Sequence, residues 1–159
     1  MKVLIAVDQS ECSQMAVQSV VKRHWPTNSE FRIISVCEPI ATQCVGYSAA
    51  YFPTVLVEAE QSLRKQSKEY IKETVAEVQK NFVDHKVSGE VLDGYAWRSI
   101  VDDANHWGAD LIIVGSHGRS GLSRIFLGSV AEAVAGHASC SVEIIKGHPL
   151  VDEIGRAHV

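Results

Sequence analysis

The chain has 159 residues, of which 46% are hydrophobic and 21% are charged, and its formal net charge is −4. This composition is typical of one globular domain, and the acidic balance argues against general binding to nucleic acid, which usually needs a basic surface. Apolar runs stay below the ~18 residues of a membrane span, so we expect no membrane partner. The four cysteines form no Cys-x-x-Cys pair, and we therefore expect a cytoplasmic protein with reduced thiols.

The amino-terminal third predicts two buried strands and one helix. Residues 3–7 form an apolar run that directly follows Lys2, without the pattern of a cleavable signal. Ser10 can cap a helix after this strand. A second strand is expected at 31–36, and the following residues to 53 show no periodic pattern, which predicts a long loop of functional or mobile character.

A long helix is predicted over residues 55–82, where apolar side chains recur at helical spacing. Glu60 and Arg64 are four residues apart on its polar side and predict an ion pair there. The expected apolar stripe consists of Leu56, Ala59, Leu63, Tyr70, Val75, Val78 and Phe82.

The carboxy-terminal half repeats the alternation of strand and helix. Gly108 stands where a glycine commonly ends a helix. Strands are predicted at 87–92, 111–114 and 142–145, and helices at 96–107 and 129–137. Such alternation predicts an α/β fold with right-handed crossovers, a parallel sheet and helices on both faces.

A glycine-punctuated loop follows the fourth predicted strand, with the spacing Gly115-x2-Gly118-x9-Gly128-Ser129. Glycines can adopt positive φ and allow backbone N–H groups to approach a ligand, while the start of a helix provides donors and partial positive charge. The segment therefore predicts a phosphate site. The alternatives are a plain turn and, for Ser129, an ordinary helix cap.

These residues resemble the ATP-binding branch of the universal stress protein family. The similarity covers nearly the whole chain, from the first strand and Asp8 at 3–10, through 110–115 and the glycine loop, to the last strand at 140–145. It implies a five-stranded parallel sheet in the order 3-2-1-4-5, Rossmann-like and similar to adenine nucleotide alpha hydrolases. It also implies one domain at 1–146, and residues 147–159 show no pattern, which predicts a tail.

The resemblance implies a crevice between the first and fourth strands that binds ATP, or ADP or AMP, with Mg²⁺ held through the phosphates. Asp8 would meet the ribose or a hydrated metal, and the backbone of Val36 would meet the adenine edge. The remaining implied contacts are the apolar Val7 and Val114, Ser10 of the first loop, and Gly115, His117, Gly118, Arg119, Gly128, Ser129 and Val130 of the glycine loop and helix start.

Several of these residues have ordinary structural roles as alternatives. His117, Arg119 and Arg124 can contact phosphate or can be surface residues of the loop. Cys12 and Cys37 each follow a strand end, where their thiols either flank the crevice or are small buried groups. Asp8 can equally serve as a cap for the first helix.

The chain departs from the family at two positions: Gln9 replaces a frequent glycine, and Ser141 replaces a common proline. The leading functional hypothesis is a nucleotide-dependent stress-response or signalling module with at most slow ATP hydrolysis. The alternative is an interaction module of the same family that binds no nucleotide. The resemblance further implies a homodimer through residues 141–146 and a protein partner that the sequence does not identify.

Overall fold

The computed structural model describes residues 1–40, 53–119 and 126–147. Within these ranges a five-stranded parallel sheet has the strand order β3-β2-β1-β4-β5, which confirms the predicted topology. The strands are β1 (Lys2–Ala6), β2 (Glu30–Cys37), β3 (Lys86–Asp93), β4 (Leu111–Gly115) and β5 (Ser141–Ile145). Each pair of neighbours is parallel.

Four helices are described, and they cover both faces of the sheet. They are α1 (Glu11–Val21), α2 (Pro53–Asn81), α3 (Ala96–Trp107) and α4 (Ser129–His137). Because side chains alternate along a strand, the central strands contribute to two separate cores. Val3, Ile5, Phe31 and Ile33 pack with α1 and α2, whereas Leu4, Ile34 and Ile112 pack with α3 and α4.

Residues 41–52, 120–125 and 148–159 lie outside the described ranges. Most of the loop predicted up to residue 53 falls there, as do Cys44, Arg124 and nearly all of the predicted tail. None of the described helices is both long enough and apolar enough to cross a membrane.

Two helix ends form where their sequence signals predict. Ser10 is the N-cap of α1, and its side chain accepts a hydrogen bond from Ser13 N. Gly108 ends α3 in the left-handed region with φ 74°, a conformation in which glycine avoids the steric cost of a Cβ atom.

The first half of α2 differs from the prediction. Leu63 was expected in the apolar stripe but is 39% exposed, whereas the buried positions of the helix are Ser67, Ile71, Thr74 and Val78. The reason lies in the edge strand: a Cβ atom on Gly89 would lie only 2.6 Å from Ile71 Cγ2, so the missing side chain lets the second half of α2 approach β3. Helical periodicity cannot reveal which turns of a long helix lie over the sheet.

The prediction of an ion pair between Glu60 and Arg64 is also wrong. Arg64 pairs with Asp93 at the end of β3, and Glu60 accepts a hydrogen bond from Ile40 N at 3.1 Å. Both side chains thus bind partners on other elements. An ion pair within the helix would add little to the stability of the fold at an exposed position.

Two arginines connect distant parts of the chain. Arg32 of β2 donates to both carboxylate oxygens of Asp103 in α3, at 2.7 and 2.8 Å, and also to Glu90. Arg23, which follows α1, makes a bidentate pair with Glu143 of β5. The hydrogen bonds from Arg23 lower the pKa of the Glu143 carboxyl below its ordinary value of 4.5.

We expect Glu143→Gln to lower the melting temperature at neutral pH. A lowered folded-state pKa means that the pair stabilises the fold above about pH 4.5 and that this contribution disappears as the pH falls through the folded-state pKa. The difference should be small, about 0.2–1 kcal/mol, because both side chains are about one-third exposed. Thermal unfolding of both proteins between pH 3 and pH 8 measures it.

Glu69→Gln is the matched control, since Glu69 is exposed on α2 and has no ion pair within the described ranges. A difference for Glu143→Gln that stays constant across the whole pH range would contradict an electrostatic origin.

Candidate functional site

A cleft opens at the carboxyl ends of β1 and β4, where the strand order reverses. In open α/β sheets this is the position at which loops from two neighbouring strands diverge and leave a crevice. The cleft has a volume of about 160 Å³, more than ten times the ~10–15 Å³ that one water molecule requires. It is lined by Ala6, Val7, Asp8, Ser13, Ile34, Val36, Ala96, Ile100, Val114, Gly115, Ser116, His117, Gly118, Gly128, Ser129, Val130 and Ala131.

The lining divides into an apolar end and a polar end. Ile34 and Val36 from β2, Ile100 from α3 and Val114 from β4 form the apolar wall. Asp8, the residues after β4 and the start of α4 form the polar end. Of the residues that the sequence nominated, Ser10 and Arg119 do not line this cleft but belong to the hydrogen-bonded loops beside it.

The loop after β1 is held by its own side chains. Asp8 Oδ1 accepts hydrogen bonds from Ser10 N at 3.1 Å and from Ser10 Oγ at 2.5 Å, and Asp8 N donates to Ser13 Oγ at 3.1 Å. Gln9 between them has φ 67°, which is uncommon for a residue with a side chain. This left-handed conformation explains why glycine suits position 9. The hydrogen bonds of Asp8 show that this residue also shapes the start of α1.

Arg119 links the loop after β4 to the loop after β1. Its Nε donates to Asp8 O at 2.5 Å across 111 residues of sequence. Ser10 Oγ, whose proton is directed to Asp8, also lies 3.3 Å from His117 O. The two loops that bound the cleft are therefore joined directly, as their convergence on one crevice predicts.

Gly115, Gly118 and Gly128 lack the positive φ that the sequence suggested for the loop. Positive φ was expected, but Gly128 has φ −62°, and the glycines with positive φ in the described residues are Gly94 and Gly108. Instead, a Cβ atom at Gly115 would lie 2.8 Å from Cys12 Cβ, and one at Gly118 would lie 2.8 Å from Asp8 Oδ2. These glycines allow close packing between segments of the chain.

Gly128 shows the same constraint at the start of α4. A Cβ atom there would lie 2.8 Å from Ser116 O, the atom to which Gly128 N donates its hydrogen bond, also at 2.8 Å. The side chain of any other residue would push this helix start away from the end of β4.

The N-cap of α4 is Gly128 and not Ser129, which corrects the predicted serine cap. Ser129 is the first helical residue, and no side chain caps the helix. The first intrahelical bond runs from Glu132 N to Gly128 O. Hence the N–H groups of Ser129, Val130 and Ala131 have no intrahelical partner, and all three residues line the cleft. Free N–H groups at a helix start favour an anion.

Ser116 is the main site residue that the sequence reasoning missed. It is only 2% exposed, its N–H donates to Ile145 O at 2.8 Å and its carbonyl accepts from Gly128 N. Ser13, also 2% exposed, was missed as well. A small polar residue next to a buried strand gives no distinct signal, because its role depends on partners elsewhere in the chain.

Neither Cys12 nor Cys37 lines the cleft. Cys12 Sγ lies 3.7 Å from Ser116 Oγ, and Cys37 Sγ donates to Ser67 Oγ at 3.5 Å. Both thiols thus occupy packing positions on the side of the sheet covered by α1 and α2, which favours the structural alternative. In the described part of the chain, His, Cys, Asp and Glu side chains do not gather in a group of three suited to a metal ion.

The family profile of universal stress proteins matches residues 1–146. The chain belongs to the universal stress protein family. The universal stress protein Sll1388 of a Synechocystis strain is 30% identical over 152 residues, which cover 91% of this chain and 97% of that protein. The family resemblance drawn from the sequence is therefore confirmed.

Solved structures share the fold of this universal stress protein. Protein MJ0577 of Methanocaldococcus jannaschii superposes with a TM-score of 0.78 at 26% identity, covering 93% of this chain and 96% of that one. A family member from Arabidopsis thaliana, solved with AMP bound, has a TM-score of 0.61 at 17% identity, covering 96% and 94% of the two chains. Structural neighbours in complex with cAMP and with dAMP also occur.

Gly128→Ala and Gly136→Ala should change stability in opposite directions. Both glycines belong to the same helix region, but a Cβ atom at Gly136 meets nothing within 4 Å. Gly136→Ala should therefore raise the free energy of unfolding by about 0.5–1 kcal/mol through helix propensity. Gly128→Ala should lower it by about 1–3 kcal/mol because the added methyl group overlaps Ser116 O. Chemical denaturation of the two variants measures both values, and stabilisation by Gly128→Ala would contradict the close approach.

Proposed function

We propose that this universal stress protein binds an adenine nucleotide, with ATP as the leading ligand and ADP or AMP as alternatives. The observation that carries the proposal is the layout of the cleft: an apolar slot ends at three free N–H groups of a helix start. Structural neighbours that hold AMP, cAMP or dAMP support the choice of an adenine nucleotide. The nucleotide state would alter the shape or the protein partners of a cytoplasmic stress-response module.

The apolar end suits the base. Val36 lies at the carboxyl end of β2, and Ile100 and Val114 complete an apolar wall that would pack against a flat ring system. Small-molecule sites commonly combine such apolar walls with a few fixed polar groups. Backbone groups near Val36 would provide the polar contacts to the edge of adenine.

The polar end suits the phosphates. The N–H groups of Ser129, Val130 and Ala131 and the hydroxyl of Ser129 would donate to phosphate oxygens, with the helix dipole adding partial positive charge. Gly115 and Gly118 would face the ribose and the first phosphate. Arg119 keeps its terminal guanidinium nitrogens for a phosphate, since Nε is the atom that holds Asp8 O.

Asp8 is the carboxylate that lines the cleft among the described residues. Its Oδ1 is occupied by Ser10, which leaves Oδ2 for a ribose hydroxyl or for water on a Mg²⁺ ion held by the phosphates. Fast phosphoryl transfer would require a positioned base and several metal ligands. We therefore propose at most slow hydrolysis, with binding as the main activity.

Titration calorimetry with ATP, ADP, AMP and adenosine, each with and without Mg²⁺, tests the proposal. We expect saturable binding of at least one phosphorylated ligand by the wild-type protein, tighter than that of adenosine. No binding of any member of the panel would reject the proposal and favour the nucleotide-free interaction module.

Two substitutions at Ser129 separate the hydroxyl from the backbone donor. Ser129→Ala removes only the hydroxyl and should weaken ATP binding about fivefold, the equivalent of one hydrogen bond of about 1 kcal/mol. Ser129→Pro also removes the N–H and should weaken it at least about tenfold further. Proline fits here, because it is favoured at the first helical position and Gly128 already has the extended ψ of 148° that precedes proline.

Adenosine is the control ligand for both variants, and its affinity should not change. Equal ATP binding by Ser129→Ala and Ser129→Pro, with unchanged circular dichroism, would contradict a phosphate contact at this helix start.

We further propose a homodimer through residues 141–146. Strand β5 pairs with β4 on one side, and its other edge has no partner strand within the described chain. Ile145 O points inward to Ser116 N, so by the alternation of backbone groups the N–H of Ile144 points to the open edge.

Ile144→Pro should therefore convert a dimer into a monomer without breaking the ladder to β4. Ile144→Val, which keeps the N–H group, is the control and should remain dimeric. Light scattering measures the molar mass of each protein, and a monomeric wild type at tens of micromolar would contradict the proposed pairing.

A further inference from the structure

We propose that His117 is a positioning residue that fixes the anion-binding start of α4, and that it acts without touching the ligand. This inference rests on the proposed function. It concerns a residue that the sequence nominated as a phosphate contact and to which the structure gives two protein partners. Both ring nitrogens are occupied: Nδ1 lies 3.0 Å from Ser116 Oγ, and Nε2 lies 2.5 Å from Phe126 O.

The chemistry of the two partners determines the tautomer. A carbonyl oxygen only accepts hydrogen bonds, so Nε2 must carry a proton and donate it to Phe126 O. In the neutral ring Nδ1 is then an acceptor, and the Ser116 hydroxyl donates to it. The neutral ring therefore has no nitrogen left for a phosphate oxygen.

The two partners of the ring are attached to the two sides of the phosphate site. Ser116 directly follows β4, is 2% exposed and is held by backbone bonds to Ile145 and Gly128. Phe126 precedes the N-cap Gly128 by two residues. The imidazole thus provides a second hydrogen-bonded connection between the end of β4 and the residues that precede α4. The first connection is the bond from Gly128 N to Ser116 O.

This second connection restricts the orientation of the residues at the start of α4 more than one hydrogen bond does. Ala131 and Val134 anchor the helix in the core, but a single hydrogen bond at Gly128 holds the residues that precede it, and a second attachment point restricts them further. The N–H groups of Ser129, Val130 and Ala131 would bind a phosphate chain well only if they share one orientation. The loss of His117 should therefore weaken phosphate binding and leave the base end of the cleft intact.

The fold itself should tolerate the loss. The bond to Phe126 O is exposed, so water can replace the histidine there at little cost, and the Ser116 hydroxyl keeps its contact with Cys12 Sγ at 3.7 Å. The effect on ligand binding is therefore separable from an effect on stability.

Calorimetry on His117→Ala, His117→Gln and the control His106→Ala tests the inference. His106 is an exposed histidine of α3 outside the cleft. We expect His117→Ala to bind ATP about tenfold more weakly, because the less restrained helix start must then be ordered on binding, with adenosine affinity unchanged. His117→Gln, whose amide has both a donor and an acceptor, should restore most of the affinity, and His106→Ala should match the wild type.

The imidazole signals of His117 in a ¹H–¹⁵N spectrum at pH 8 provide the second test, which needs no variant. We expect a protonated Nε2 and an unprotonated Nδ1 both without ligand and with saturating ATP. A switch to a protonated Nδ1 on ATP binding would instead show direct donation to phosphate and overturn the inference.

Unchanged ATP affinity of His117→Ala, or an equal loss for ATP and adenosine, would also overturn it. Failure of the proposed function is distinguishable, because in that case the wild-type protein itself would not bind ATP.

Discussion

The backbone of Ser116 connects three parts of the molecule through its single N–H and its single carbonyl. The N–H binds the last residue of β5, and the carbonyl binds the N–H of Gly128 at the start of α4. Both groups are removed from water, where an unpaired backbone group would be costly, so the positions of the edge strand and of the helix start are coupled. The cleft, its free donors and the edge that we propose for dimerisation all depend on this arrangement.

Close approach between segments explains the composition of the site better than loop conformation does. Gly115, Gly118 and Gly128 each lie where a Cβ atom would overlap another part of the chain at 2.8 Å. Beside the cleft, the strained backbone is found instead at Gln9, a residue with a side chain at φ 67°. Such strain persists only where surrounding bonds hold it, and here Asp8 and Ser10 on either side are hydrogen-bonded to each other.

An acidic protein can still provide a site for an anion, because local donors outweigh net charge at short range. The formal charge of −4 is spread over the chain, whereas three N–H groups without intrahelical partners lie at one helix start whose residues line the cleft. Salt screens the distributed charge over about 10 Å or less at physiological strength, while a direct hydrogen bond inside a cleft is screened much less. The anion binding that we propose therefore depends mainly on the backbone, with a supporting role for Arg119.

The sequence by itself determined the alternation of strands and helices, the cap at Ser10, the end of α3 at Gly108 and, through Asp8 and the glycine spacing, the family. These are local patterns, so that neighbouring residues suffice to define them. Only the tertiary structure decided which turns of α2 are buried, that Arg64 pairs with Asp93, that Gly128 and not Ser129 is the N-cap, and which partners Ser116 and His117 have beside the cleft. Each of these depends on which distant backbone or side chain comes within a few ångströms, and no local pattern of residues encodes that distance.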